Sequence, residues 1–98
     1  LQYACGGISS DESTAMRAAM QDHPLSLLFA RKDGEYLANL AVEIQGGPHT
    51  LQFTAGGPIC LLQLPAGRYT VQATTQGGAT QRQNVEVQGK GRTLDLRY

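Results

Sequence analysis

From Leu25 to Tyr98 the apolar residues recur at every second position, and turn-forming clusters interrupt them roughly every 8–12 residues. A period of two belongs to a strand with one buried face; a helix needs 3.6. Leu25, Leu27 and Phe29 alternate, then Leu40, Val42 and Ile44, then Leu51 and Phe53. Tyr69, Val71 and Ala73 follow, then Val85 and Val87, and last Leu94, Leu96 and Tyr98. Residues 59–64 are almost continuously apolar, as expected of a well-buried strand. The interruptions are Asp33-Gly34 (a hairpin turn signal), Gly46-Gly47-Pro48, Ala55-Gly56-Gly57-Pro58, Pro65-Ala66-Gly67, Gln76-Gly77-Gly78 and Gly89-Lys90-Gly91. The pattern predicts a mainly β fold, a sandwich of about seven short strands over residues 25–98.

One helix precedes it. Residues 1–8 contain Gly6-Gly7 and read as an extended arm. Ser9 is a good N-cap and Glu12 stands three residues on, the spacing of a capping box. Asp11 and Glu12 lie where the helix dipole favours negative charge. Ala15, Met16, Ala19 and Met20 make one apolar stripe. Pro24 disfavours helix at His23, so the helix is predicted over 9–23. At that length it needs a surface to pack on.

The size and charge balance narrow the function. Ninety-eight residues make one domain, 1–98, with one modest core. Lys plus Arg equals Asp plus Glu, eight each, so the chain lacks the basic excess that a nucleic-acid binder uses to displace counterions. No apolar run approaches the ~20 residues of a membrane-spanning helix. The chain opens at Leu1 rather than Met, and its polar residues are mostly Gln, Thr, Ser and Gly. Both features fit an exported protein, periplasmic or secreted, whose signal peptide has been removed. Cys5 and Cys60 are the only cysteines and allow one pairing. They read either as a disulfide, closing a loop whose constraint stabilises by roughly 4 kcal/mol, or as two independent thiols with Cys60 in the core.

Residues 64–71, Leu-Pro-Ala-Gly-Arg-Tyr-Thr-Val, form the most specific motif. Pro65 presets a turn, and Tyr69 and Val71 then face the core from the next strand. The motif resembles the signature of carboxypeptidase-regulatory-like domains, which have a transthyretin-like (prealbumin-like) β-sandwich. The likeness extends through Gly6-Gly7, Glu35-Tyr36-Leu37-Ala38 and the run from Gly57-Pro58 to Val71. Over almost the whole chain it is similar to a group of small exported proteobacterial proteins with a Gly-Gly arm and a short helix before the sandwich. The resemblance implies fold and export. In that group large apolar residues commonly fill the stretch after Gly57-Pro58, so Cys60 there favours pairing with Cys5. Neither activity found near this fold carries over. The zinc-dependent peptidase domain has no counterpart here, and the ureide-hydrolysing branch ends in Tyr-Arg-Gly-Ser, whereas this chain ends Leu96-Arg97-Tyr98.

Candidate chemistry is sparse. His23 and His49 have no partner at metal-ligand spacing, so no metal or cofactor site is expected. Cys60 lies in an apolar run that suppresses thiolate formation, and Ser9, Ser10 and Ser13 have the spacing of a helix cap. Gly89-Lys90-Gly91 lacks the upstream glycine of a phosphate loop, and Glu35, Glu43, Glu86 and Asp95 are dispersed. The chain is therefore expected to be a non-enzymatic module, monomeric, that binds another protein or a cell-envelope component. The candidate surfaces are an edge strand at 80–84 and a recognition end formed by loops 31–36 and 55–58. Two alternatives stand beside it. One is a small hydrolase or ligand carrier with a site completed at an oligomer interface; the other is an accessory or chaperone-like domain for a partner enzyme.

Overall fold

Residues 2–89 and 91–98 are described by a computed structural model. Leu1 of the predicted arm and Lys90 of the last predicted turn lie outside them. The strands are β1 (Gln2–Gly6), β2 (Leu25–Ala30), β3 (Leu40–Gly46), β4 (His49–Ala55), β5 (Ile59–Gln63), β6 (Gly67–Thr74), β7 (Thr80–Val87) and β8 (Arg92–Arg97). A single α-helix, α1 (Ser10–Ala19), continues as a 3-10 turn, Met20–Asp22. The strands form two four-stranded sheets, ordered β1-β5-β2-β8 and β4-β3-β6-β7. The mainly β reading holds, with eight strands rather than seven. The additional one is β1, inside the predicted arm, whose register sets Cys5 opposite Cys60 and Ala4 opposite Leu61. Five residues with two glycines nearby give no alternation to read, so only pairing with β5 reveals this strand.

The alternating residues meet between the sheets. Leu25, Leu27 and Phe29 of one sheet face Val42, Ile44, Val71 and Ala73 of the other, all essentially out of solvent. Each large side chain buried this way stabilises the fold by about 1.5–3 kcal/mol. Tyr69 is buried as well, and its hydroxyl donates to the Pro65 carbonyl at 2.7 Å, so the turn at 65–67 is tied to the strand it starts. Gly46 makes room for that ring, since a Cβ there would lie 2.3 Å from Tyr69 Cδ1.

Every residue of β2 is buried, because the outer face of its sheet is also covered. Met16, Ala19 and Met20 pack on Leu28, Ile59 and Leu61. Ala15, expected on that stripe, is exposed. Ser26 is fully buried on the covered face and donates to the Met20 carbonyl at 3.4 Å.

The helix start also departs from its prediction in one respect. Ser9 accepts from the Glu12 amide at 3.2 Å, as a capping box requires. The Glu12 carboxylate reaches past the cap, accepting from Gly7 N at 2.5 Å and Ile8 N at 3.4 Å. The helix is thereby fastened to β1. Its end follows expectation: His23 is extended before Pro24, and its Nδ1 faces the Ala19 carbonyl at 2.9 Å.

Asp33-Gly34 does form a turn, with Gly34 N donating to Arg31 O at 2.9 Å. It does not make a hairpin of β2 and β3. Only the bridge Ala30–Tyr36 forms before the chain crosses to the other sheet, reversing at Asn39, where φ is +61°.

Cys5 and Cys60 are joined by a disulfide across β1 and β5, with Cα atoms 4.1 Å apart. Replacing both by alanine should lower unfolding stability in urea by about 2–4 kcal/mol. An unchanged midpoint would show that β1 holds its place through hydrogen bonds alone.

Candidate functional site

Three segments converge at one end of the sandwich. The crossing segment between β2 and β3 contributes Tyr36, Leu37 and Ala38; the loop before β5 contributes Pro58; and the junction of β1 with α1 contributes Gly7 and Ile8. Together they line a cavity of about 160 Å³. On the other side of Leu37 and Ala38 lies a cavity of about 550 Å³, walled by Arg31, the turn between β6 and β7 (Thr75, Gln76, Gly77, Ala79) and Tyr98. The two hollows share Leu37 and Ala38 as their dividing ridge. The predicted loops 31–36 and 55–58 are thus brought together, Tyr36 from one and Pro58 from the other.

Leu37 N donates to Phe29 O at 3.1 Å and Asn39 N to Ala55 O at 2.7 Å, so both of these amides face the protein. The Ala38 N–H lies between these two amides along the chain. Among the described residues it has no hydrogen-bond partner.

The surroundings are held firmly. Arg17 Nε donates to the Tyr36 hydroxyl at 2.9 Å, which fixes the ring that closes the smaller hollow. Tyr98 is held by its amide, which donates to Ala30 O at 2.9 Å, and by its hydroxyl, which donates to Ala73 O at 2.7 Å. Burial pushes the Tyr98 hydroxyl up from its ordinary value, and Tyr69 likewise. Ile8 and Tyr36 remain exposed at the rim, at 76% and 38%. Apolar side chains left in solvent beside a hollow are what a bound segment would cover.

The other sequence candidates lie elsewhere. Thr80–Val87 is the outer strand of its sheet, so the stretch 80–84 is an edge as expected. Its rows are knit by Arg82 to Gln72 at 2.6 Å and Thr70 to Asn84 at 2.9 Å. His49 opens β4 opposite Gly46, and His23 stands at the helix end. Ser9 caps α1. Glu43 accepts from Gln52 at 2.6 Å, Asp95 pairs with Arg97 at 2.7 Å, and Glu86 lies 3.5 Å from Arg68. The Gln88 amide and then Arg68 hold the Glu86 carboxyl below its ordinary value. Among the described residues, no group of three or more His, Cys, Asp or Glu is placed to hold a metal ion. Sequence reasoning missed Leu37, Ala38, the 75–79 turn and Tyr98 as parts of one end. The only available signal was that 37–39 break the alternation, and that break says nothing about what faces it.

No protein-family model and no curated protein matches this chain.

The two raised tyrosines set an alkaline limit. Each stays protonated in the folded state at a pH where the unfolded chain has begun to lose its proton, at about 10. Their contribution is complete below that pH and is lost as pH rises through the folded-state values. Thermal midpoints measured from pH 8 to 11 should therefore fall, and the double change Tyr69→Phe, Tyr98→Phe should flatten that fall. An equally steep decline in the double variant would assign it to other groups.

Proposed function

We propose that this chain is an exported, non-enzymatic protein-binding module that receives an extended segment of a partner along the Leu37–Ala38 ridge. The observation that carries this reading is the Ala38 N–H, without a hydrogen-bond partner among the described residues, on the segment shared by two hollows. An extended polypeptide fits both features. Its carbonyl satisfies the amide, and successive side chains drop to opposite sides, here into about 160 and 550 Å³. A small compact ligand would fill one hollow and leave the amide unmet.

Export is supported by the disulfide, since such bonds persist in oxidising compartments. No described helix is long and apolar enough to cross a membrane. The order of a Gly-Gly arm, a short helix and a two-sheet sandwich supports the carboxypeptidase-regulatory-like resemblance as a proposal for the family. The assignment as a non-enzyme rests on the chemistry present. Both sulfurs are bonded, His23 faces a backbone carbonyl, and Glu43, Glu86 and Asp95 pair with neighbouring amides or guanidinium groups.

Peptides selected from a random display library should bind with weak, roughly micromolar affinity. They should shift NMR resonances of Tyr36–Ala38, Gln76, Ala79 and Tyr98. Ala38→Pro removes an N–H that no described group accepts; it should abolish binding, and the variant's thermal midpoint, measured beside it, separates loss of the site from loss of the fold. Selected peptides whose shifts map to β7, or whose binding survives Ala38→Pro, would contradict the reading.

A further inference from the structure

The two sheets leave four edges: β1 and β8 in one, β4 and β7 in the other. Natural edges are commonly blunted with charge, because an unpaired row of amides is a template for another strand. On one side of the sandwich this holds. β7 carries Arg82 and Glu86, β8 carries Arg92, Asp95 and Arg97, and Gln81 reaches across to the Arg97 carbonyl. On the other side β1 and β4 meet through Tyr3 stacked on Phe53, ring centroids 4.2 Å apart, and neither strand contains Asp, Glu, Lys or Arg. β1 also lacks proline, and Gln2, Tyr3 and Ala4 are exposed.

The register shows which groups β1 offers. Phe29 N donates to Pro58 O at 2.9 Å, and Leu27 lies opposite Cys60, so positions 58 and 60 turn their backbone groups toward β2. Ile59 and Leu61 therefore face β1, where their partners are Gly6 and Ala4. The separation of 4.1 Å between the Cα atoms of Cys5 and Cys60 agrees, being that of a pair without mutual backbone hydrogen bonds. Tyr3 and Cys5 thus present their N–H and C=O groups outward on the free edge.

We propose that β1 pairs antiparallel with β1 of a second copy of this chain, about a two-fold axis at Ala4. In that register Tyr3 lies opposite Cys5 of the second copy and Cys5 opposite Tyr3 of the second copy. Both outward residues on each strand are matched, giving four main-chain hydrogen bonds, and the two sheets become one of eight strands. A two-fold axis sets the residue that lies on it opposite its own copy, so a charge at position 4 would face a like charge. This edge has none. Ala4 meets Ala4 without bulk, and the half-exposed Tyr3 rings become diagonal neighbours within reach of each other. A foreign strand would gain the same hydrogen bonds, but this edge offers no charge to select it. The contact is small and belongs to the weak class, so a single copy prevails in dilute solution.

Sedimentation velocity of the oxidised protein between about 5 and 500 µM tests this. A monomer at low concentration should convert to a dimer at high concentration, with Tyr3 and Cys5 amides gaining protection from exchange in parallel. Ala4→Lys opposes two ammonium groups at the axis and should weaken association about five-fold. Mixing it with Ala4→Glu should restore association, and Arg82→Glu on the far edge should leave it unchanged. If Ala4→Lys fails to fold, the concentration-dependent protection of Tyr3 and Cys5 decides alone. The proposal is overturned by a monomer throughout the range, by a dimer indifferent to Ala4→Lys, or by protection of Tyr3 and Cys5 only when an added extended peptide binds a monomer. Ala38→Pro should leave the dimer intact, so failure at the loop end and failure at this edge are read separately.

Discussion

The pairing of β1 with β5, fastened by Cys5–Cys60, is the contact on which the arrangement of the N-terminal third depends. It seats Gly6 against the sheet so closely that a Cβ at Gly57 would lie 2.4 Å from the Gly6 carbonyl oxygen. Gly6 in turn passes beneath Glu12 and Met16, where a Cβ of its own would meet Oε1 at 2.7 Å. Gly7 then donates to Glu12, and the helix is aimed over Leu28, Ile59 and Leu61. A ten-residue helix with no buried residue has little stability of its own. Its position follows from the strand before it, the carboxylate that reaches back to that strand, and the small apolar cluster beneath.

The same anchoring positions the loop end. Gly7 and Ile8 border the smaller hollow, and Arg17 from the helix holds the Tyr36 hydroxyl. A segment that starts the chain and a segment midway along it therefore share one wall, although neither is regular structure at that point. The opposite walls come from Tyr98, fixed by hydrogen bonds to Ala30 and Ala73, and from the β6–β7 turn, closed by Thr75 N donating to Ala79 O at 2.9 Å. Strands β2 and β4 accept the Leu37 and Asn39 amides, and the Ala38 amide between them has no partner among the described residues.

Most of the sandwich was legible because its strands have one buried and one solvated face. Leu40, Val42 and Ile44, or Tyr69, Val71 and Ala73, announce both strand and orientation. Residues 59–64 announced a strand covered on both sides, which is what α1 and the core provide. Three features were not legible, each because it is decided by a distant partner. β1 has no period to display. The Asp33-Gly34 turn carries a sound local signal, yet sheet membership of β2 and β3 depends on what pairs with each. Glu12 reaches Gly7 instead of the cap because the arm lies within its reach. The candidate site shares this origin, since Leu37 and Ala38 matter only through what the fold sets on either side of them.

Amide hydrogen exchange on the oxidised and the reduced protein tests the anchoring most directly. Releasing the Cys5–Cys60 bond should free Ala4 and Gly6 first. Gly7 and the first turn of α1 should lose protection with them, while β3, β6 and the Tyr69 corner stay protected. Retained protection of α1 after β1 has opened would contradict the account, because it would show that the helix is seated by its apolar stripe alone.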